Sequence, residues 1–185
     1  MEVIFPEGGE CIAGGGDFVF GGASKYQQLH SDIDVSGALD VWWPPPYVSA
    51  NVAVHHVDAR NGPMRLLPGT QTACARVLRE RRRLPTVEEE PATWRRSTLQ
   101  PLRPGDICLR DVRVLHGGAP NTADSTRYLP SVEFVSKALR DTGRKDIWPP
   151  ARVISEDAFN GLPERAQQWC WDLVARGFQP QSGWH

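Results

Sequence analysis

The sequence predicts a mainly β domain of antiparallel strands, a sandwich or jelly-roll, with one helix flanking it near the C-terminus. Three observations carry that expectation. The 17 glycines and 16 prolines break the chain of 185 residues too often for an all-helical bundle. Short runs rich in β-branched residues recur between turn signals. Helical spacing emerges only from Pro163 onward.

Taken in order, residues 1 to 24 are glycine-rich and read as irregular, with one short strand at Phe18-Val19-Phe20. Ser49 to Val57 alternates small or polar with apolar residues, the pattern of a half-buried strand. Asn61-Gly62 follows as a turn signal, since both residue types tolerate positive φ. Met64 to Leu67 then reads as a return strand stopped by Pro68-Gly69, so the two runs predict a β-hairpin. From Thr70 to Arg103 the chain is polar. Its clusters Arg79-Glu80-Arg81-Arg82-Arg83 and Glu88-Glu89-Glu90 read as a solvated surface, with a grip on an anionic substrate tail as the functional alternative. Further strands are expected at Asp106 to Asp111 and Arg127 to Ser136. In the last helix Pro163 suits a first helical position, Ala166, Trp169, Cys170 and Leu173 share a face, and Gly177 ends it.

Composition excludes several classes of function. A formal charge of −1 gives no general attraction to nucleic acid or to an anionic membrane. No apolar run approaches the roughly 20 residues that span a bilayer. The opening MEVIFPEGGE lacks the basic start and apolar run of a signal peptide, so a cytoplasmic location is expected. Cys11, Cys74, Cys108 and Cys170 form no CxxC pair and read as thiols in a reducing compartment. The expected partner is a small molecule, and no feature of the sequence speaks to oligomeric state.

The chemistry concentrates in few residues. His30-Ser31-Asp32 places an imidazole and a carboxylate two residues apart, on the same side of an extended segment, where both can reach one metal ion. His116, in VRVLHGGAPN, offers a third ligand after the strand at 106 to 111. Two imidazoles and one carboxylate on a face of an octahedron leave three positions open, the arrangement of non-haem Fe(II) oxygenases. Eleven residues on, Arg127 opens the next strand with a planar fork suited to a carboxylate. His55 and His56 are adjacent on a strand and face opposite ways, so at most one looks inward. They read as ordinary strand residues, Trp42 and Trp43 as packing, and Asn61 and Asn121 as turn formers.

Four segments in order, LHSDID, NVAVHHVDARNGPMRLLPGT, RPGDICLRDVRVLHGGAPNTADSTR and YLPSVEF, resemble the phytanoyl-CoA dioxygenase family of iron and 2-oxoglutarate oxygenases. The resemblance spans roughly residues 25 to 136 and rests most on the NGPxxxxPGT and GDxxLxDxRxxHGGxPNxxxxxR blocks. It implies a double-stranded β-helix, the jelly-roll of cupin-like proteins, with His30, Asp32 and His116 as iron ligands and Arg127 as anchor for the far carboxylate of 2-oxoglutarate. It further implies a dioxygenase that uses Fe(II), 2-oxoglutarate and O2, hydroxylates a C–H bond of a small organic substrate, and releases succinate and CO2. Asp32 retains the ligand that related halogenases lack, which favours hydroxylation. Two departures stand out. Gly118 occupies a place where relatives often carry a hydroxyl that assists the arginine, and only 29 residues precede His30. The chain 1–185 thus reads as a single oxygenase domain, short at its N-terminus. Two alternatives remain: a catalytically silent metal-binding jelly-roll scaffold, and a cupin-like metalloenzyme in which Arg127 grips an acidic substrate instead of 2-oxoglutarate.

Overall fold

The computed structural model describes residues 1–33, 44–71, 84–92, 94, 99–142 and 154–174. Within them the chain forms β1 (Gly9–Val19), β2 (Tyr47–Val52), β3 (Met64–Leu67), β4 (Leu99–Gln100), β5 (Ile107–Asp111), β6 (Leu115–Gly118) and β7 (Arg127–Ser136). After β7 come three short helices, α1 (Lys137–Asp141), α2 (Glu156–Asn160) and α3 (Glu164–Cys170), and a 3-10 turn at Trp171–Leu173. The strands build two antiparallel sheets, ordered β1-β7-β2-β5 and β4-β3-β6. Side chains from both sheets meet in one apolar cluster of Ala53, Val57, Met64, Leu102 and Leu129, as expected when each strand turns alternate residues inward. This is the jelly-roll that the strand pattern predicts.

Strand β7 is the backbone of the larger sheet. Arg127, Leu129, Ser131 and Val135 are buried, while Tyr128, Pro130 and Val132 between them are exposed. Alternate side chains of β7 therefore face inward, although their polarity does not alternate in step. The apolar members of β5 behave oppositely: Ile107 and Leu109 lie on the outer face at 59% and 54% exposure, and Arg110 points inward.

Several expectations need correcting. The glycine-rich N-terminus is an eleven-residue strand, because nearly every residue of β1 finds a partner along the full length of β7, with one irregularity between Cys11 and Ala13. Backbone pairing thus overrides the weak strand preference of glycine. Gly16 is required there: its φ is +150°, and a Cβ would stand 2.7 Å from the Leu129 carbonyl oxygen.

The expected hairpin does not form, since β2 and β3 belong to different sheets. Beyond Val52 the chain leaves β2, and Val57 exchanges backbone hydrogen bonds with Leu102. Gly62 does adopt positive φ, +78°. The Asn61 side chain closes a wider loop instead, donating to the His56 carbonyl and accepting from the Asp58 N–H.

Glu90 is not solvated. It forms an ion pair with Arg65 in which both side chains are fully buried. Arg65 points inward from β3 and needs a counter-charge where water cannot reach. The arginine cluster 79–83, Trp42, Trp43, Cys74 and Gly177 lie outside the described residues.

At the C-terminal end, α3 begins one residue after Pro163, and Leu173 falls in the 3-10 turn rather than the helix. Its Trp169 packs edge-on against Phe134 of β7, with ring centroids 5.9 Å apart. The helix therefore flanks the outer face of the larger sheet, as expected. No described helix is long and apolar enough to cross a membrane.

Candidate metal centre and its cavity

The segment carrying His30 and Asp32 is not a regular strand, yet it runs antiparallel beside β6. His30 and His116 exchange backbone hydrogen bonds of 2.9 Å in both directions. Gln27 N–H reaches the Gly118 carbonyl at 2.9 Å, and Asp32 N–H reaches that of Val112 at 3.1 Å. Leu29, 1% exposed, packs with Leu67 and Leu115 and pins the segment from the apolar side. The backbone therefore sets the two histidines side by side, with ring centroids 4.4 Å apart.

Each ring is also fixed in rotation and tautomer. Nδ1 of His30 lies 3.1 Å from the Gln28 carbonyl oxygen, and Nδ1 of His116 lies 3.1 Å from that of Val114. A carbonyl can only accept, so both Nδ1 atoms carry the proton and both Nε2 lone pairs point the other way. They point at one carboxylate oxygen. Oδ1 of Asp32 stands 3.7 Å from Nε2 of His30 and 3.3 Å from Nε2 of His116. One donor atom from each of the three residues lies within 4.8 Å of the others. Ligands about 2.1 Å from an octahedral ion stand roughly 3 Å apart at right angles. The donor set needs only a small contraction to surround one ion, and backbone carbonyls already orient both imidazoles from behind.

Arg110 of β5 completes the cluster and was not singled out by its sequence. Its Nη1 donates to the second oxygen of Asp32, Oδ2, at 2.6 Å. The same Nη1 lies 3.3 Å from Nδ1 of His116. That nitrogen has already given its proton to Val114, so the contact with Asp32 is the one that holds the arginine. Burial alone would raise the Asp32 pKa. The adjacent His116 ring and the charge and hydrogen bond of Arg110 outweigh it and hold the carboxyl well below the usual carboxylate range.

The three ligand candidates open onto a cavity of about 430 Å³ between the sheets. Arg127 lines the same cavity and is 1% exposed. Its Nε donates to the Gly62 carbonyl at 2.9 Å and its Nη1 to the Asp17 carbonyl at 3.1 Å. Burial pushes its pKa down, and the charge of Asp17 opposes that shift. The wall between the two ends carries Asn51, Ser131 and Glu133, the last accepting a hydrogen bond from the Tyr47 hydroxyl. Residues Gly14 to Gly16 of β1 contribute backbone without side-chain bulk, which leaves this wall open.

The other residues weighed in the sequence do structural work. His55 accepts the Tyr128 N–H at Nε2 and donates from Nδ1 to the His56 carbonyl, both at 2.9 Å. Asn121, fully buried, donates to the carbonyls of Val19 and Ser125 and accepts the Ala123 N–H, which locks the turn before β7. Cys11 is buried, and burial raises the Cys108 thiol, so neither is a ready nucleophile.

Among solved structures, the chain is similar to a non-heme monooxygenase, ThoJ, in its apo form, at 13% identity and a TM-score of 0.53, covering 73% of this chain and 49% of that one. The ThoJ–Ni complex matches at 12% identity and a TM-score of 0.50, covering 73% and 47%. AviO1 from Streptomyces viridochromogenes Tue57 matches at 20% identity and a TM-score of 0.50, covering 77% and 54%. These likenesses speak to the fold, and the chain spans about half the length of the structures it matches. No curated protein matches the sequence. A family model described as phytanoyl-CoA dioxygenase (PhyH) matches residues 19–129, from the end of β1 into β7 and across the whole His30–Asp32–His116 cluster. That stretch is well over half of the chain, which therefore belongs to the phytanoyl-CoA dioxygenase family.

Proposed function

We propose that the protein is an Fe(II)- and 2-oxoglutarate-dependent oxygenase that hydroxylates a C–H bond of a small organic substrate, with His30, Asp32 and His116 as iron ligands and Arg127 as the co-substrate anchor. The observation that carries this reading is the convergence of two Nε2 lone pairs on one Asp32 oxygen, at one end of a cavity that holds a buried arginine. Two neutral imidazoles and one carboxylate suit a divalent iron that must keep open positions, whereas a structural zinc site would close with a fourth protein ligand. When bound, iron with 2-oxoglutarate and O2 supplies the oxidising chemistry, with succinate and CO2 as by-products.

The chain's own residues supply geometry and charge. The Gln28 and Val114 carbonyls hold the imidazoles in the metal-binding tautomer. Two carbonyls fix the plane of the Arg127 guanidinium and leave its charge uncompensated by any carboxylate hydrogen bond among the described residues. A dicarboxylate with one end at the metal needs a cation at the other end, and Arg127 meets that need. The polar wall of Asn51, Ser131 and Glu133 suits a small polar substrate better than a long acyl chain.

The test is an anaerobic titration with Fe(II) and 2-oxoglutarate, watched for the weak visible charge-transfer band of the chelate. Aerobic succinate release, slow even without substrate, then separates an enzyme from a silent scaffold. Iron binding with neither the band nor succinate would sink this reading and favour the scaffold or an enzyme that does not use 2-oxoglutarate.

A further inference from the structure

We infer that Arg110 is a positioning residue of the metal centre: by holding the outer oxygen of Asp32, it makes the aspartate meet the ion through one oxygen and keeps a third coordination position open. This rests on reading the cluster as an Fe(II) site, as proposed above. The geometry divides the two carboxylate oxygens cleanly. Oδ1 faces both histidine Nε2 atoms, at 3.7 and 3.3 Å, while Oδ2 faces away from them and takes the Arg110 Nη1 at 2.6 Å.

Arg110 is well placed for this task. It stands opposite Ser49 in the β2–β5 register, on the inward face of an edge strand of the larger sheet, and its side chain is 5% exposed. Its Nε is buried without any acceptor, so the guanidinium is not held by a competing network. Asp32 is its only carboxylate partner among the described residues. A carboxylate can bind a divalent cation through one oxygen or two. Two-oxygen binding would require Oδ2 to abandon a charge-assisted hydrogen bond to a buried cation, which water is poorly placed to replace. Through one oxygen, the triad fills three octahedral positions and leaves three. Through two it leaves only two, one fewer than a chelating co-substrate and dioxygen require together. Arg110 thus guards the stoichiometry of open sites.

The test uses the full chain loaded with Co(II), whose visible absorption weakens as coordination number rises. Arg110→Met should still bind one equivalent of Co(II), with a changed band intensity, and its 2-oxoglutarate dissociation constant should rise about tenfold. Arg110→Lys can still give one hydrogen bond to Oδ2 and should return both quantities toward wild type. A purely structural role would lower the melting temperature while leaving the Co(II) spectrum per bound ion and the 2-oxoglutarate constant as in wild type, and that result overturns the inference. Infrared difference spectra of wild-type protein labelled with 13C-aspartate, with and without Co(II), decide the matter even if the methionine variant does not fold. A wide separation of the carboxylate stretches supports one-oxygen binding, and a narrow one refutes it. Should wild-type protein bind Co(II) but not 2-oxoglutarate, the proposed function fails, and the spectra still report on Arg110.

Discussion

Two buried arginines face the same cavity and are satisfied in opposite ways. Arg110, near the histidines, gives its Nη1 to the carboxylate of Asp32. Arg127 gives its Nε and Nη1 to two neutral carbonyls, of Gly62 and Asp17. Both lie on strands of the larger sheet, and both are at least nine-tenths buried. A guanidinium paired with a carboxylate has its charge largely neutralised, whereas one held by carbonyls is fixed in place but keeps its charge for a visitor. The cavity therefore has one end where the arginine is hydrogen-bonded to a carboxylate and another where, among the described residues, the arginine is hydrogen-bonded only to neutral carbonyls. That asymmetry is what the proposed function rests on, with a metal at one end and a carboxylate at the other.

Removing ligands should break the metal end outright. His116→Ala leaves Asp32 and His30 as an incomplete pair, and purified protein should then contain almost no iron by elemental analysis. Asp32→Ala should do the same and should also leave Arg110 buried without its partner. A small carboxylate such as formate should then settle beside Arg110 and restore part of the iron content. His30→Ala should lose iron while the melting temperature stays near wild type, since this ring is partly exposed and its role in the fold is carried by its backbone. Normal iron content in His116→Ala would remove the proposed centre.

The anion end should respond through the co-substrate alone. Truncating one partner of a buried charge pair costs several kcal/mol, so Arg127→Ala should raise the 2-oxoglutarate constant by roughly 10² to 10³, at about 1.4 kcal/mol per decade. Iron content should not change. The same variant leaves the Gly62 and Asp17 carbonyls without their donor, so a drop in melting temperature should accompany it. Arg127→Lys should recover only part of the affinity, because an ammonium cannot offer two parallel hydrogen bonds. Unchanged 2-oxoglutarate binding in Arg127→Ala would move the acidic-substrate alternative ahead.

The same asymmetry explains what could be read from the residues. Strand β7 and the His30–Asp32 pair were legible because a run rich in β-branched and aromatic residues and the His-x-Asp spacing are local signals. Arg110 was not, for a physical reason. On β5 the apolar Ile107 and Leu109 are exposed and the charged Arg110 is buried, the reverse of the usual assignment of faces. Only the register against β2, which sets Arg110 opposite Ser49, reveals which face is inner. The burial of Glu90 was hidden similarly, since its partner Arg65 lies 25 residues away. The length of β1 depended on a distant β7 that overrode its glycines. The hairpin failed because side-chain hydrogen bonds of Asn61 shaped a wider loop than its turn signal suggested.

The smallest expected effect sharpens the anion end further. Relatives often carry a hydroxyl where this chain has Gly118, and the structure puts Gln27 against that place. The Gly118 N–H donates to Oε1 of Gln27 at 2.9 Å, which fixes the orientation of the amide, and its Nε2 makes no hydrogen bond to any other of the described residues. Gln27 and Gly118 line the cavity with Arg127. A Cβ on Gly118 would meet the Gln27 Oε1 at 3.6 Å, the Val19 Cγ2 at 3.8 Å and the Gln27 Cβ at 3.9 Å, ordinary contact distances. Serine therefore fits there without displacing backbone. A neutral hydrogen bond is worth about 1 kcal/mol, so Gln27→Ala should raise the 2-oxoglutarate constant roughly fivefold. Gly118→Ser should lower it by a similar factor, but mainly in the Gln27→Ala background, where the carboxylate lacks its second donor. In the wild-type background the hydroxyl and the amide compete for the same acceptor, and the gain should shrink. The measurement is a four-protein cycle of 2-oxoglutarate titrations at constant iron. Equal gains from serine in both backgrounds would mean that Gln27 gives the co-substrate nothing, and that Arg127 holds its far end unaided.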